Sequence, residues 1–265
     1  MIRKVNEKDN KIILDYIGDQ FNKCIYLYLN YKKYGVDTPN VITWIQYDFK
    51  ENITCLVLKY YNAMHIFSKN LNFKKEELLD LIEENNPSII CAEKAIIESL
   101  ENNVQGYESE YGWVREIKEI KYFTYEKDVQ VISPKDSDFN EIGRLLYADE
   151  DIGASYKLDE LINNMIERKN QKYTRNLIIK KDNDIISHVG TGAEEEKVAM
   201  INYLITNPIY RKQGYGKIIM ANICKTLLEE NKRVFLINYT ETSTKMYEKL
   251  GFEVSCEWGK LYKKI

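Results

Sequence analysis

The sequence predicts an α+β protein, and two observations carry that reading. Three β-like runs follow one another with only turn residues between them, and after them single helices alternate with single strands. The same succession of elements occurs twice along the 265 residues, a length at which two domains can each bury a core of their own. The division is expected at residues 1–127 and 128–265, bracketed by Gly106 and the charged stretch Lys118 to Lys127. No low-complexity linker separates the halves, so close packing is expected.

The first half offers helical material up to about Tyr34, then strands at Val41 to Asp48, Ile53 to Tyr60 and Met64 to Phe67. A helix from Phe73 to about Glu84, a strand Ser88 to Ala92, a helix Lys94 to Asn102 and a strand Tyr107 to Glu116 complete it. In the second half Asp128 to Ser133 reads as a strand, and beyond Pro134 the group Asp136-Ser137-Asp138 can cap a helix to about Ala148. A second helix covers Leu158 to about Lys169. The β-like runs Tyr173 to Lys180, Ile185 to Gly190 and Val198 to Thr206 follow, with Asp182, Asn183 and Asp184 turning the first into the second. The acidic run Glu194 to Glu196 is expected to be a solvated turn between the last two. Arg233 to Tyr239 is a short apolar strand, Glu241 to Leu250 a helix that Gly251 can stop, and Phe252 to Tyr262 the final strand.

Composition removes several function classes. Lys plus Arg number 38 against 41 Asp plus Glu, a formal charge of −3 that gives no field for nucleic acid. No apolar run reaches the roughly 18 residues of a bilayer span, and Met1 to Asn10 is too polar for a signal peptide, so a cytoplasmic protein is expected. The five cysteines lack C-x-x-C spacing and are expected to be buried small hydrophobes, not zinc or redox ligands. With His65 and His188 alone, a mechanism built on several histidines is excluded.

The chemistry-bearing stretch is Arg211-Lys212-Gln213-Gly214-Tyr215-Gly216-Lys217. Glycines without Cβ atoms let several N–H groups converge on one anion, and the helix that follows adds its positive end. A pyrophosphate suits such a cradle. Tyr215, Ile219, Ile223 and Leu227, with Met220 and Leu228 beside them, form the buried stripe of that helix, while Lys217, Asn222, Lys225 and Glu229 face away. A Walker A loop is excluded because Arg211 stands where it needs Gly and Ile218 where it needs Ser or Thr; the dinucleotide fingerprint fails at Ile219.

The pattern R-x-x-G-x-G, preceded by a strand-like segment ending Asn207-Pro208-Ile209-Tyr210 and followed by Tyr247-Glu248-Lys249-Leu250-Gly251-Phe252, resembles the GCN5-related N-acetyltransferase (GNAT) superfamily. The resemblance covers the C-terminal half. It implies a mixed, mostly antiparallel sheet flanked by helices, acetyl-CoA as co-substrate, and an acyl transfer to a primary amine in a ternary complex. In the first half Ser68-Lys69-Asn70-Leu71-Asn72-Phe73 stands where the cradle would be and has no glycine. That half is therefore expected to be a smaller GNAT-like domain without the cofactor site, or an accessory α+β domain, walling the acceptor side.

Site residues follow from the resemblance. Leu204, Ile205 and Thr206 would pair their backbone with the pantetheine arm and polarise the thioester oxygen. Arg211 to Lys217 (Arg211, Lys212, Gln213, Gly214, Tyr215, Gly216, Lys217) would hold the diphosphate, and Asn238 would contact the cofactor arm. Tyr247 would give its proton to the departing CoA sulfur, which a phenol, protonated at neutral pH, can do when held close. Two departures stand out. Met200 occupies the position of the family's occasional Glu base, leaving Asn202 and His188 as candidates to orient a water; Thr240 replaces a common Asn. The competing expectation is an acyl-CoA-binding regulatory protein without turnover, and a third, a tRNA-dependent aminoacyl transferase, lacks the basic stripe it would need. The acceptor, a small-molecule or peptide amine, and the oligomeric state are not legible in the residues; no metal, nucleic-acid or membrane partner is expected.

Overall fold

The computed structural model describes residues 1–121, 129–153, 157–181, 184–241 and 244–263. They form two compact units that are not contiguous in sequence. The first holds Met1–Arg115, Ile237–Thr240 and Val254–Ile265; the second holds Glu116–Leu236 and Glu241–Glu253, whereas the sequence reading sets one boundary at residue 127.

In the first unit, β1 (Ile2–Lys4), α1 (Asn10–Ile17), α2 (Phe21–Tyr34) and the short β2 (Asp37–Thr38) lead into β3 (Val41–Tyr47), β4 (Ile53–Tyr60) and β5 (Ala63–Phe67). α3 (Lys75–Asn85), β6 (Ile89–Glu93), α4 (Lys94–Leu100) and β7 (Tyr107–Ile117) follow. β1, β3, β4 and β5 are joined antiparallel, whereas β5 and β6 run parallel across α3, because a strand pair joined through a helix returns in the same direction. The apolar faces of α3 and α4 close over Val57, Met64, Ile66, Ile90 and Ala92.

The second unit repeats this plan. It contains β8 (Val131–Ile132), α5 (Phe139–Tyr147), α6 (Glu150–Gly153), α7 (Leu158–Asn170), β9 (Asn176–Lys181), β10 (Asp184–Glu194) and β11 (Val198–Thr206). Then come α8 (Tyr215–Glu229), β12 (Arg233–Asn238), α9 (Thr244–Leu250) and β13 (Phe252–Lys263), the last of which leaves the unit at Val254 and pairs antiparallel with β6 in the first. β8, β9, β10 and β11 are antiparallel neighbours, and β11 runs parallel to β12 across α8. Period-two alternation supplies both faces of the sheet. Ile179, Ile186, Val189 and Ile201 meet α8, while Ile178, Ile185 and Ile205 meet α5 and α7.

Local chemistry explains the boundaries. The Asp138 carboxylate accepts from Lys135 N–H at 2.8 Å and from Lys180 Nζ at 2.6 Å, fixing the turn that opens α5. The expected strand at Asp128 to Ser133 is realised at Val131–Ile132, Asp128 itself lying outside the described residues, as do Asp182 and Asn183 of the expected turn. The expected helix over Glu241 to Leu250 is α9, which is described from Thr244, residues 242 and 243 lying outside as well. One expectation is corrected: Glu194 is not a solvated turn residue. Its side chain is 8% exposed, and Arg175 Nε at 2.7 Å and Lys232 Nζ at 3.0 Å neutralise it. Arg175 also reaches Glu230 at 2.7 Å, so the cluster ties β9, β10 and the end of α8 together.

Gly251 ends α9 at φ +112°, and a Cβ there would stand 2.5 Å from the Glu119 carbonyl oxygen. Gly251→Ala is therefore expected to destabilise the protein by about 2 kcal/mol through backbone strain and overpacking, measurable as a lower urea midpoint at unchanged slope.

Candidate functional site

The site is built where β11 ends and α8 begins. The ladder between β11 and β12 runs from Val198 opposite Arg233 to Ile201 opposite Leu236, while β11 itself continues to Thr206. Past Ile201 the strand carries a bulge. His188 faces Ile205 and Gly190 faces Asn202, so Tyr203 and Leu204 of β11 together stand opposite Val189 of β10, and Tyr203 takes φ +57°. Ile205 is buried, and Leu204 and Thr206 are half-buried at the strand end.

From Thr206 the chain turns through Asn207, whose side chain accepts from Ile209 N–H at 3.3 Å, and through a short 3-10 turn at Pro208–Tyr210. Arg211 lies back along this turn, its Nε donating to Thr206 O at 3.0 Å and its Nη2 to Asp149 Oδ2 at 3.1 Å. Gln213 closes the turn by donating to Ile209 O at 3.3 Å. Lys212 and Gly214 adopt positive φ, +60° and +91°, and a Cβ on Gly214 would meet nothing within 4 Å. The loop therefore leaves main chain at Gly214 next to open space. Lys217 and Ile218 N–H both turn back to Gly214 O at 3.1 Å to start α8, and no acidic residue stands in its first turn. Tyr215 is buried, so its contribution to an anion site is its backbone.

Gly216 brings the neighbours together. A Cβ there would lie 3.2 Å from Thr206 Oγ1 and 3.8 Å from Met246 Sδ, so strand end, helix start and α9 converge. Tyr247, next to Met246, is half-buried with its ring 5.7 Å from that of Phe252 in an edge-on arrangement. Asn238 belongs to the first unit, where its Oδ1 accepts from Arg115 Nε at 2.8 Å and its Nδ2 donates to Thr240 O at 3.1 Å.

The corresponding place in the first unit is filled from within. Lys69 N–H donates to the Tyr16 hydroxyl at 2.9 Å, and Lys74 N–H donates to Gln46 Oε1 at 2.9 Å. Glu76 and Glu77 occupy the first turn of α3, so the helix carries its own anions where α8 carries none.

Met200, at the expected base position, is 1% exposed and offers no proton acceptor. His188 is fully buried, with Nδ1 2.9 Å from Tyr203 O and Nε2 3.0 Å from Asn176 Oδ1. It is therefore not placed to orient a water in a cleft. Its burial pushes the imidazole down to about 4, so it is neutral across the physiological range.

A protein-family model described as the acetyltransferase (GNAT) family matches residues 140–252. These residues form a GNAT domain. Among solved structures, a GCN5-related N-acetyltransferase from Sphaerobacter thermophilus is similar over 99% of this chain and 95% of its own, with TM-score 0.67 and 11% identity. A Drosophila protein aligns over 98% of both chains at TM-score 0.69 and 10% identity. A GNAT-family acetyltransferase from Colwellia psychrerythraea aligns over 100% of both at TM-score 0.61 and 11% identity. These likenesses extend to both units, so the first unit shares the GNAT fold in tandem with the second. No curated protein matches the chain by sequence. Among the described residues, no helix is long and apolar enough to cross a membrane.

Sequence reasoning missed the bulge at Tyr203 and the burial of His188 against it. The available signal was the pair Gly190 and Gly192 inside one strand, which marks a close approach of other groups.

Proposed function

We propose that the GNAT domain transfers an acetyl group from acetyl-CoA to a primary amine, of a small molecule or a peptide, by direct attack in a ternary complex. The observation that supports this most is the convergence of a strand running on past its parallel partner, a glycine loop and a tyrosine-bearing helix around Gly216. The cradle fits a diphosphate on its own terms: positive φ at Lys212 and Gly214, open space beside Gly214, and no carboxylate in the first turn of α8. Main-chain N–H groups from Gln213 to Gly216 would hold the diphosphate with the Lys217 side chain beside them, and the backbone of Leu204 to Thr206 would line the pantetheine arm. The thioester supplies an activated acyl carbon. Main-chain N–H groups at the end of β11 take the charge that develops on its oxygen as the amine nitrogen bonds to the carbon. When the C–S bond breaks, Tyr247 gives its phenolic proton to the leaving thiolate, and the proton of the new ammonium passes to water. Arg211, tied to Thr206 and Asp149, braces the loop against the strand end.

Gly214→Asp adds a negative charge to the cradle at a positive-φ position and is expected to weaken CoA binding at least tenfold, about 1.4 kcal/mol, in calorimetry. Unchanged affinity in the folded variant removes the assignment. The buried Met200 in the base position favours one other reading, an acyl-CoA-binding regulator without turnover. Saturable CoA binding with no thiol release across a panel of primary amines selects that reading.

A further inference from the structure

We propose that His188 is the positioning residue for the oxyanion site, holding the peptide between Tyr203 and Leu204 in the orientation that acyl transfer needs. This rests on the acyl-transfer reading above. Tyr203 stands at φ +57°, a left-handed conformation that is strained for an aromatic residue and persists only where its surroundings enforce it. The enforcing contact is at 2.9 Å, between His188 Nδ1 and Tyr203 O. A carbonyl only accepts, so Nδ1 carries the hydrogen. The atom 3.0 Å from Nε2 is Asn176 Oδ1, itself an acceptor; a half-turn of that amide brings Nδ2 to the same place, where it donates to Nε2 of the neutral ring. With the Asn176 amide in that orientation the tautomer is set from behind, as a carboxylate sets it in other sites.

Because a trans peptide is planar, the Leu204 N–H points opposite to the Tyr203 carbonyl, away from His188. That N–H lies in the part of β11 beyond its ladder with β12, where the thioester oxygen is expected. His188 therefore touches no reactant and acts through one peptide plane. The strand beside it is carved to allow this. A Cβ on Gly190 would sit 2.7 Å from Asn176 Oδ1, and one on Gly192 would collide with the Asn202 amide, the residue before the bulge. Two residues on, the Ile205 carbonyl is also held by a side chain of β10, Ser187 Oγ donating to Ile205 O at 3.0 Å.

The test compares His188→Asn, whose amide nitrogen falls near Nδ1, with His188→Gln and His188→Leu, which place no donor there. With acetyl-CoA and an amine accepted by the wild-type enzyme, His188→Asn should keep kcat within about threefold. His188→Gln and His188→Leu should each lose at least about 30-fold in kcat, the order expected for a displaced oxyanion donor, with CoA affinity by calorimetry within about twofold. Should His188→Leu fail to fold, the Asn and Gln pair decides. Equal kcat for that pair, or a loss confined to CoA affinity, overturns the positioning role while leaving acyl transfer standing. A wild-type protein that binds no CoA or transfers no acetyl group overturns the acyl-transfer reading itself, and this role with it.

Discussion

Tyr247→Phe is expected to lower kcat for acetyl transfer by about a hundredfold while leaving CoA affinity unchanged. Phenylalanine keeps the ring that packs edge-on against Phe252 at 5.7 Å, so the substitution removes one hydroxyl and little else. The leaving thiolate then departs without a positioned acid, and water replaces it only in part, which sets the loss near the lower end of general-acid effects. Steady-state thiol release, read beside calorimetric CoA binding, separates the two quantities. A kcat within about threefold of wild type assigns the proton elsewhere, and Tyr247 would then be a packing residue.

The second large effect is on stability. Unfolding free energy is expected to fall by up to about 3 kcal/mol for each of two histidines as pH drops from about 6.5 to about 4. Burial pushes both His65 and His188 down to about 4, from 6.5. The sign follows from proton counts: within that window the unfolded chain binds protons that the folded chain refuses, so stability falls as pH falls, and levels off below about 4. Among the described residues His65 Nδ1 has no hydrogen-bond partner, and its ring lies 5.6 Å from that of Tyr26; His188 faces Asn176 Oδ1 and Tyr203 O. No carboxylate is bonded to either ring among these contacts, and for His188 the hydrogen bond to the Tyr203 carbonyl opposes the burial only in part. Asp9, Asp138 and Glu230 are held low by basic partners, and their contributions are lost only as pH falls below the ordinary carboxylate range. Urea unfolding at about pH 7 and about pH 5 measures the slope. The double variant His65→Gln, His188→Asn should flatten it; a wild-type slope retained in that variant would place its source in other groups.

Much of this fold was legible because its signals are local. The stripe Tyr215, Ile219, Ile223, Leu227 shows the buried face of α8 directly, and Gly214 and Gly216 show where main chain comes into the open. The β-like runs from Tyr173 to Thr206 became β9, β10 and β11 within a few residues, since each combines β-branched residues with turn residues at its ends. What was not legible depends on partners distant in sequence. Glu194 is buried because Arg175 and Lys232 neutralise it, and an acidic triplet read alone gives the opposite answer. The bulge at Tyr203 lies in Asn202-Tyr203-Leu204, which contains no glycine or proline, and the His188 side chain of another strand contacts the Tyr203 carbonyl there. The final strand was visible as a strand, but its pairing with β6 is a matter of tertiary structure that periodicity does not encode.

A crystal structure with acetyl-CoA tests the central claim most directly. The account predicts the diphosphate on the N–H groups between Gln213 and Lys217, with the pantetheine arm along Leu204 to Thr206 and its sulfur within reach of the Tyr247 hydroxyl. A loop left empty, with the nucleotide bound at another place or absent at saturating concentration, would contradict it.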